Sequence, residues 1–108
     1  MKPKKPTPPA ELSPEARQLW QQIFEEVELD TAAVLILNTT MRQWDRAQEA
    51  RKAIAKEGAV VPGRFPGMTR ANPWCQIERD ATAALMRGWR LLGFDQVPSG
   101  AMGRPPGR

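Results

Sequence analysis

The chain has 108 residues, with a single cysteine and no histidine. One cysteine cannot form a disulfide within the chain, and the lack of histidine excludes a His-ligated metal site and histidine acid–base catalysis. No apolar run approaches the roughly 20 residues that a membrane-spanning helix needs. The composition therefore predicts a soluble, cytosolic protein of at most one domain.

The excess positive charge is concentrated at the two ends of the chain. The net charge is +4, yet residues 11–94 hold eleven basic and eleven acidic residues. Residues 1–11 are rich in proline and lysine, and residues 95–108 are rich in glycine and proline. Such segments bury too little apolar surface to offset their ordering entropy, which predicts two flexible arms around an ordered domain at residues 12–94. A basic arm adds sequence-independent attraction to nucleic acid, and a merely solubilising role fits equally well.

The first predicted helix covers residues 14–28. Ser13 is a capping residue, Pro14 suits the first helical position, and Glu15 is stabilised at the positive end of the helix dipole. Apolar residues follow at spacings of three and four: Leu12, Ala16, Leu19, Trp20, Ile23, Phe24 and Val27. This spacing predicts an amphipathic helix that buries one face.

The second predicted helix covers residues 31–57, with Asp30 or Thr31 as its cap and Gly58 as its stop. Its apolar face is formed by Leu37, Met41, Trp44, Ala47 and Ile54. A helix of this length is about 40 Å long, whereas a compact domain of about 80 residues is only about 30 Å across. We therefore expect the helix to project beyond the core that its own chain can build. An elongated helical hairpin of this kind is usually completed by neighbouring subunits.

The segment between the second and third helices is predicted to be an irregular loop or a small hairpin. Val60, Val61 and Phe65 favour short strands, whereas Pro62 and Pro66 disfavour a regular ladder of hydrogen bonds. Both possibilities stay open at the level of sequence.

The third predicted helix covers residues 73–92, with Asn72 as its cap, Pro73 at its first position and Gly93 as its stop. Small and apolar residues form one stripe along it: Ile77, Ala81, Ala84, Leu85, Gly88 and Leu92. The fold class is therefore all-α, a three-helix elongated hairpin with a long central helix.

The basic residues of the domain divide into two groups. Those on the second helix alternate with acids three and four residues away, which is typical of a solvated face: Arg42, Arg46, Lys52 and Lys56 among Asp45, Glu49 and Glu57. Arg64 and Arg70 differ, because no acid occurs between Glu57 and Glu78. That pattern favours contact of these two arginines with a nucleic-acid backbone.

The four tryptophans could stack on bases, but their helical spacing favours a place in the core or at an interface. Trp89 lies off the apolar stripe of the third helix and is predicted to contact another subunit. Ser13 and Cys75 have no histidine to activate them as nucleophiles. The carboxylates are scattered, so the sequence predicts no catalytic residues, no metal site, no cofactor and no enzymatic activity.

Three segments in order resemble the small subunits of phage terminases of the short, all-helical kind. They are LSPEARQLWQQIFEEVELD, WDRAQEARKAIAKEGAVV and ANPWCQIERDATAALMRGWRLLGFD, and they cover most of the chain from Leu12 to Asp95. The most specific features are the helix from Asp45-Arg46 to Glu57-Gly58 and the helix from Asn72-Pro73 to Gly93-Phe94.

The resemblance implies a non-catalytic role in packaging viral DNA. Small terminase subunits typically assemble into homo-oligomeric rings, recognise double-stranded viral DNA, and regulate the ATPase and nuclease of the terminase large subunit. The implied location is the cytoplasm of the infected bacterial host.

Under this hypothesis, residues can be assigned to three kinds of contact. The predicted DNA contacts are Lys2, Lys4, Lys5, Arg64 and Arg70. The predicted contacts between subunits are Trp44, Ile54, Leu85, Trp89 and Leu92. The tail after Asp95 is a candidate for docking on the large subunit, because a flexible segment can order on a partner.

Two interpretations from other functional classes remain open. One is a small helical DNA-binding regulator, such as an antitoxin-like dimer that binds an operator and a toxin. The other is a structural head or connector protein of a phage, with no affinity for DNA.

Overall fold

The computed structural model describes residues 7–94, which form three helices and one small sheet. The elements are α1 (Pro14–Glu26), α2 (Thr31–Glu57), β1 (Val60–Pro62), β2 (Thr69–Ala71) and α3 (Pro73–Leu91). The all-α class is confirmed. The second helix has the predicted bounds, whereas α1 and α3 end slightly earlier than expected.

Each helix begins at a side chain that accepts a hydrogen bond from an amide of its first turn. The pairs are Ser13 with Ala16, Asp30 with Ala33, and Asn72 with Trp74. Proline follows Ser13 and Asn72 at the first helical position, where a missing N–H costs no helical hydrogen bond. The predicted helix starts are therefore produced by local capping.

The ends of α2 and α3 are marked by glycines with positive φ. Gly58 has φ 93° and Gly93 has φ 81°, a backbone region that side chains other than glycine rarely adopt. Beyond α3, the Phe94 N–H donates to the Trp89 carbonyl at 2.8 Å, and the two rings lie 5.4 Å apart. This is a Schellman motif with its usual hydrophobic contact.

The main core lies where α1 packs against the first half of α2. Its buried residues are Leu12, Ala16, Trp20, Leu37 and Met41, and the half-buried side chains of Trp44, Trp89 and Leu92 pack against them. Trp20 stacks on Phe24 with ring centroids 5.1 Å apart. The indole N–H of Trp20 donates to Asn38 Oδ1 at 2.7 Å, so its polar atom is satisfied within the core.

A polar contact fixes the start of α1 to the middle of α2. The Asp45 carboxylate accepts hydrogen bonds from the backbone N–H of Ser13 at 2.8 Å and from the Ser13 hydroxyl at 2.5 Å. Nearby, Arg42 pairs with Glu11 at 2.7 Å. A backbone hydrogen bond and the Arg42 guanidinium lower the pKa of the Glu11 carboxyl, so the carboxylate keeps its charge to a lower pH than a free glutamate does.

Helices α2 and α3 form an antiparallel hairpin with a very close approach. A Cβ atom added to Gly88 would lie 2.0 Å from the Thr40 hydroxyl oxygen. Further along the pair, the small side chains of Ala47, Ala50 and Ala81 are buried. Small residues at these positions let the two backbones lie close together, so the sequence stripe on α3 is a helix-packing face.

The second half of α2 extends past the region that α1 covers. The hydrogen bonds that join the α1 end of the chain to α2 reach no further than Asp45. Beyond that point, an ion pair between Arg51 and Glu78 at 3.2 Å links α2 to α3. The helical hairpin thus projects from the core, as its length predicted.

Candidate DNA and subunit contacts

Strands β1 and β2 form a two-stranded antiparallel ribbon at the closed end of the α2–α3 hairpin. Val60 pairs with Ala71, and Val61 pairs with Arg70. Of the two possibilities that the sequence left open, the small hairpin is therefore the observed one. Phe65 lies outside both strands, in the turn that connects them.

The ribbon turn spans Phe65 to Met68 and has type II geometry. Pro66 occupies its second position, and Gly67 occupies its third with φ 79°, which is the arrangement that this turn requires. The Met68 N–H donates to the Phe65 carbonyl at 3.1 Å and so closes the turn. The two prolines that disfavoured a regular ladder are both accommodated. Pro66 belongs to the turn, and Pro62 lies at the end of β1, which is an edge strand because the ribbon has only two strands.

Asn72 joins the base of the ribbon to the helices. Its side chain is buried and donates hydrogen bonds to the Gly58 carbonyl at 2.8 Å and to Glu57 Oε1 at 3.2 Å. Its backbone N–H donates to the Ala59 carbonyl at 2.8 Å. Since Asn72 also caps α3, one residue fixes the direction in which the ribbon leaves the helical hairpin.

The ribbon and its turn carry two arginines and no acid of their own. Arg64 and Arg70 are exposed, and residues 58–77 contain no carboxylate. Between residues 7 and 94, neither arginine forms a salt bridge, whereas Arg42, Arg46 and Arg51 are each paired with a glutamate. Pairing separates Arg64 and Arg70 from Arg42 and Arg46, but not from Lys52 and Lys56, which also form no salt bridge among the described residues.

The ribbon also exposes apolar side chains. Val60, Phe65 and Met68 are 60%, 59% and 55% exposed, respectively. Sequence reasoning treated Phe65 as a possible strand residue and overlooked Met68. The signal that could have identified them is that both apolar residues lie between Arg64 and Arg70 in an acid-free segment rich in proline and glycine.

The residues predicted to contact other subunits do not form one exposed patch. Leu85 is buried, and Trp44, Trp89 and Leu92 use part of their surface to pack on the α1 core. Ile54 is half-buried and lies towards the closed end of the hairpin. The structure thus brings Trp44, Trp89 and Leu92 together around the core and leaves Ile54 apart.

Other apolar side chains are more exposed than the predicted ones. Leu35 near the start of α2 is 62% exposed, and Leu91 at the end of α3 is 72% exposed. Both belong to the open end of the antiparallel helix pair, and Met86 is exposed five residues before Leu91. The helical spacing of these residues alone did not distinguish them from core residues.

Residues 16–102 match the family model described as phage terminase, small subunit. The chain belongs to this family. The match includes all of α2, the ribbon and α3, and it continues into the tail after Phe94. Membership supports a role in phage DNA packaging at the level of the family.

Comparison of this terminase small subunit with curated proteins and with solved structures gives no match. None of the helices within residues 7–94 is long and apolar enough to cross a membrane. Over the same residues, no group of three or more potential metal ligands comes together. Lys2, Lys4 and Lys5 lie outside the described residues.

The polar groups of the terminase small subunit that could suggest chemistry have structural partners. The Ser13 hydroxyl donates to Asp45 and accepts from the Ala16 amide. The half-buried thiol of Cys75 points to the Ala59 carbonyl at the base of the ribbon. These contacts assign Ser13 to helix capping and Cys75 to packing.

Proposed function

We propose that this terminase small subunit forms a homo-oligomeric ring that recognises viral DNA and regulates the ATPase and nuclease of the large subunit. It would do so in the cytoplasm of the infected bacterial host. The observation that carries the proposal is the uncovered apolar surface at the open end of the α2–α3 hairpin, where Leu35 is 62% and Leu91 72% exposed. A helical pair of this kind gains stability when a neighbouring subunit packs against it.

The subunit contact in this proposal uses the half-buried side chains of Trp44, Ile54, Trp89 and Leu92, together with the buried Leu85. Their partial exposure leaves apolar surface that a neighbour can cover. Leu35 and Leu91 extend this surface at the open end of the hairpin.

The DNA contact in this proposal uses the basic ribbon and the lysines of the N-terminal segment. Arg64 and Arg70 are exposed, and residues 58–77 hold no carboxylate. Glu57 lines the same groove as Arg70, so the two arginines leave the ribbon with a net positive charge near this single acid. Lys2, Lys4 and Lys5 add three positive charges within ten residues that contain no acid. Together they supply sequence-independent attraction to duplex DNA.

Replacing Lys2, Lys4 and Lys5 by glutamine should weaken binding to duplex DNA and reduce its dependence on salt. Each phosphate contact contributes about 0.9 to the slope of log affinity against log salt, so the slope should fall by up to about 2.7. Fluorescence anisotropy across a salt series measures both quantities. The matched control replaces three exposed helical cations, Lys52, Lys56 and Arg79, by glutamine and should have a smaller effect. Unchanged affinity and slope in the first variant would rule out the N-terminal lysines.

Deleting residues 95–108 should abolish stimulation of the large-subunit ATPase while leaving DNA affinity within about twofold of the full chain. The reason is that the family match continues to residue 102, past the end of α3, which supports a shared role for the tail. The assay measures ATP hydrolysis by the cognate large subunit with added full-length or truncated protein. Equal stimulation by both would place the regulatory contact elsewhere, and no stimulation by the full chain would contradict the regulatory function itself.

A further inference from the structure

We propose that the ribbon turn acts as a wedge in duplex DNA. Phe65 enters a base step from the minor groove, Arg64 and Arg70 hold the adjacent phosphates, and binding kinks the duplex. This inference rests on the proposed DNA-binding function and specifies how the ribbon would perform it.

The first argument is the position of the apolar side chains. Phe65 and Met68 are the first and last residues of the turn, and more than half of each side chain is exposed. They lie at the end of a narrow two-stranded projection rather than on a broad face. An apolar group in that position is suited to insertion into a cleft.

The second argument is the rigidity of the turn. Proline restricts φ at Pro66, Gly67 adopts the positive φ that a type II turn needs, and a hydrogen bond closes the turn. A second ladder bond, from the Gly63 N–H to the Met68 carbonyl at 2.7 Å, continues the ribbon up to the turn. A wedge that is already ordered loses little conformational entropy when it binds.

The third argument is charge, which identifies the partner as nucleic acid. Arg64 directly precedes Phe65, Arg70 lies on the strand that follows the turn, and residues 58–77 contain no carboxylate. An apolar tip between two unpaired cations complements a hydrophobic base stack between two rows of phosphates. Proteins that bind the minor groove combine these features. The negative potential of the groove attracts arginine side chains, and inserted Phe, Met or Pro side chains partly unstack a base step.

The experiment measures affinity, bending and unstacking with one set of proteins. The DNA probe is a 30-base-pair duplex with several flexible TA steps, labelled at both ends for energy transfer. A second version carries 2-aminopurine, whose fluorescence rises when it is unstacked, at these steps. The variants are Phe65→Ala, Phe65→Leu, and Arg64→Gln combined with Arg70→Gln. The matched control is Val27→Ala, an exposed apolar residue at the end of α1 that belongs to neither the ribbon nor the proposed subunit contact.

The wild-type protein should raise both energy transfer and 2-aminopurine fluorescence. Phe65→Ala should abolish both signals and lower affinity about tenfold, without changing the salt slope, because it removes one stacking contact and no charge. Phe65→Leu should retain most of the bend, since leucine also acts as a wedge. The double arginine variant should lower the salt slope by up to about 1.8. Val27→Ala should behave as wild type, and circular dichroism should show unchanged helicity in every variant.

Three outcomes would overturn the wedge, and they are distinguishable from a failure of the proposed function. Salt-dependent DNA binding without bending or unstacking, and with Phe65→Ala equal to wild type, would refute the wedge and leave DNA binding intact. Loss of ATPase stimulation by Phe65→Ala with unchanged DNA signals would show that the turn contacts a protein instead. A wild-type protein that binds no DNA at all would refute both proposals.

Discussion

Gly88→Val should destabilise the helical hairpin by about 3 kcal/mol, the upper part of the usual range for overpacking. The added Cβ would lie 2.0 Å from the Thr40 hydroxyl oxygen and 2.9 Å from the Thr40 Cβ. The helices must therefore separate, or Thr40 must leave its position and lose its 2.7 Å hydrogen bond to the Ile36 carbonyl. For a domain of this size, we expect the Tm to fall by about 12–24 °C.

The control for Gly88→Val is Ala83→Val, which places the same side chain at an exposed position of α3. Its cost should be limited to the lower helix propensity of valine, below about 1 kcal/mol. A double-mutant cycle of Gly88→Ala with Thr40→Ala provides a second test, because Thr40→Ala removes the two side-chain atoms that cause most of the clash. Equal Tm values for the two valine variants would show that the helices do not approach closely at Gly88.

Trp20→Ala should lower the free energy of unfolding by about 3–5 kcal/mol, as is typical when a large buried aromatic is truncated. Trp20 is 1% exposed and lies at the centre of the contact between α1 and α2. Its loss removes the stacking on Phe24 and leaves Asn38 without the indole donor. Urea denaturation followed by circular dichroism measures the change.

Trp74→Ala is the comparison for Trp20→Ala, because Trp74 is only half-buried and lies 5.2 Å beneath the Arg46 guanidinium. A cation–π contact at a partly exposed site contributes about 0.5–1 kcal/mol, so this variant should remain close to wild type in stability. If both tryptophans had similar effects, the assignment of Trp20 as the centre of the core would be wrong.

The helices could be predicted from the sequence because their ends are determined by residues that are neighbours in the chain. Ser13 with Pro14 and Asn72 with Pro73 produce helix starts through hydrogen bonds that span two or three residues. Gly93 ends α3 through an equally local motif. The remaining error, in the last turn of α1 and α3, lies where helix ends fray and assignments commonly differ.

Contacts between distant parts of the chain were not predictable in the same way. The hydrogen bonds from Ser13 to Asp45 join residues 32 apart, and the polar pattern around Asp45 indicated only a solvated face. Gly88 was recognised as part of a small-residue stripe, but its partner Thr40 lies on another helix. Asn72 was predicted as a cap, whereas its bonds to Glu57 and Gly58 depend on how the hairpin closes.

The candidate site was only partly accessible to sequence reasoning. The absence of acids around Arg64 and Arg70 is a property of the sequence, and the unpaired state of these arginines within residues 7–94 agrees with it. The exposure of Phe65 depends on the type II turn, which places its ring at the end of the ribbon. The subunit contacts through Trp44, Ile54, Leu85, Trp89 and Leu92 stay a prediction, because a protomer does not reveal which of its apolar surfaces a neighbour covers.

The mass of the purified protein in solution tests the proposed ring most directly. Size-exclusion chromatography with light scattering, at low and moderate salt and with or without duplex DNA, measures it against the 12.1 kDa protomer. The account predicts a single closed species of many subunits at both salt concentrations, because apolar contacts between helices are not screened by salt. A monomer or dimer that stays so when DNA is added would contradict it.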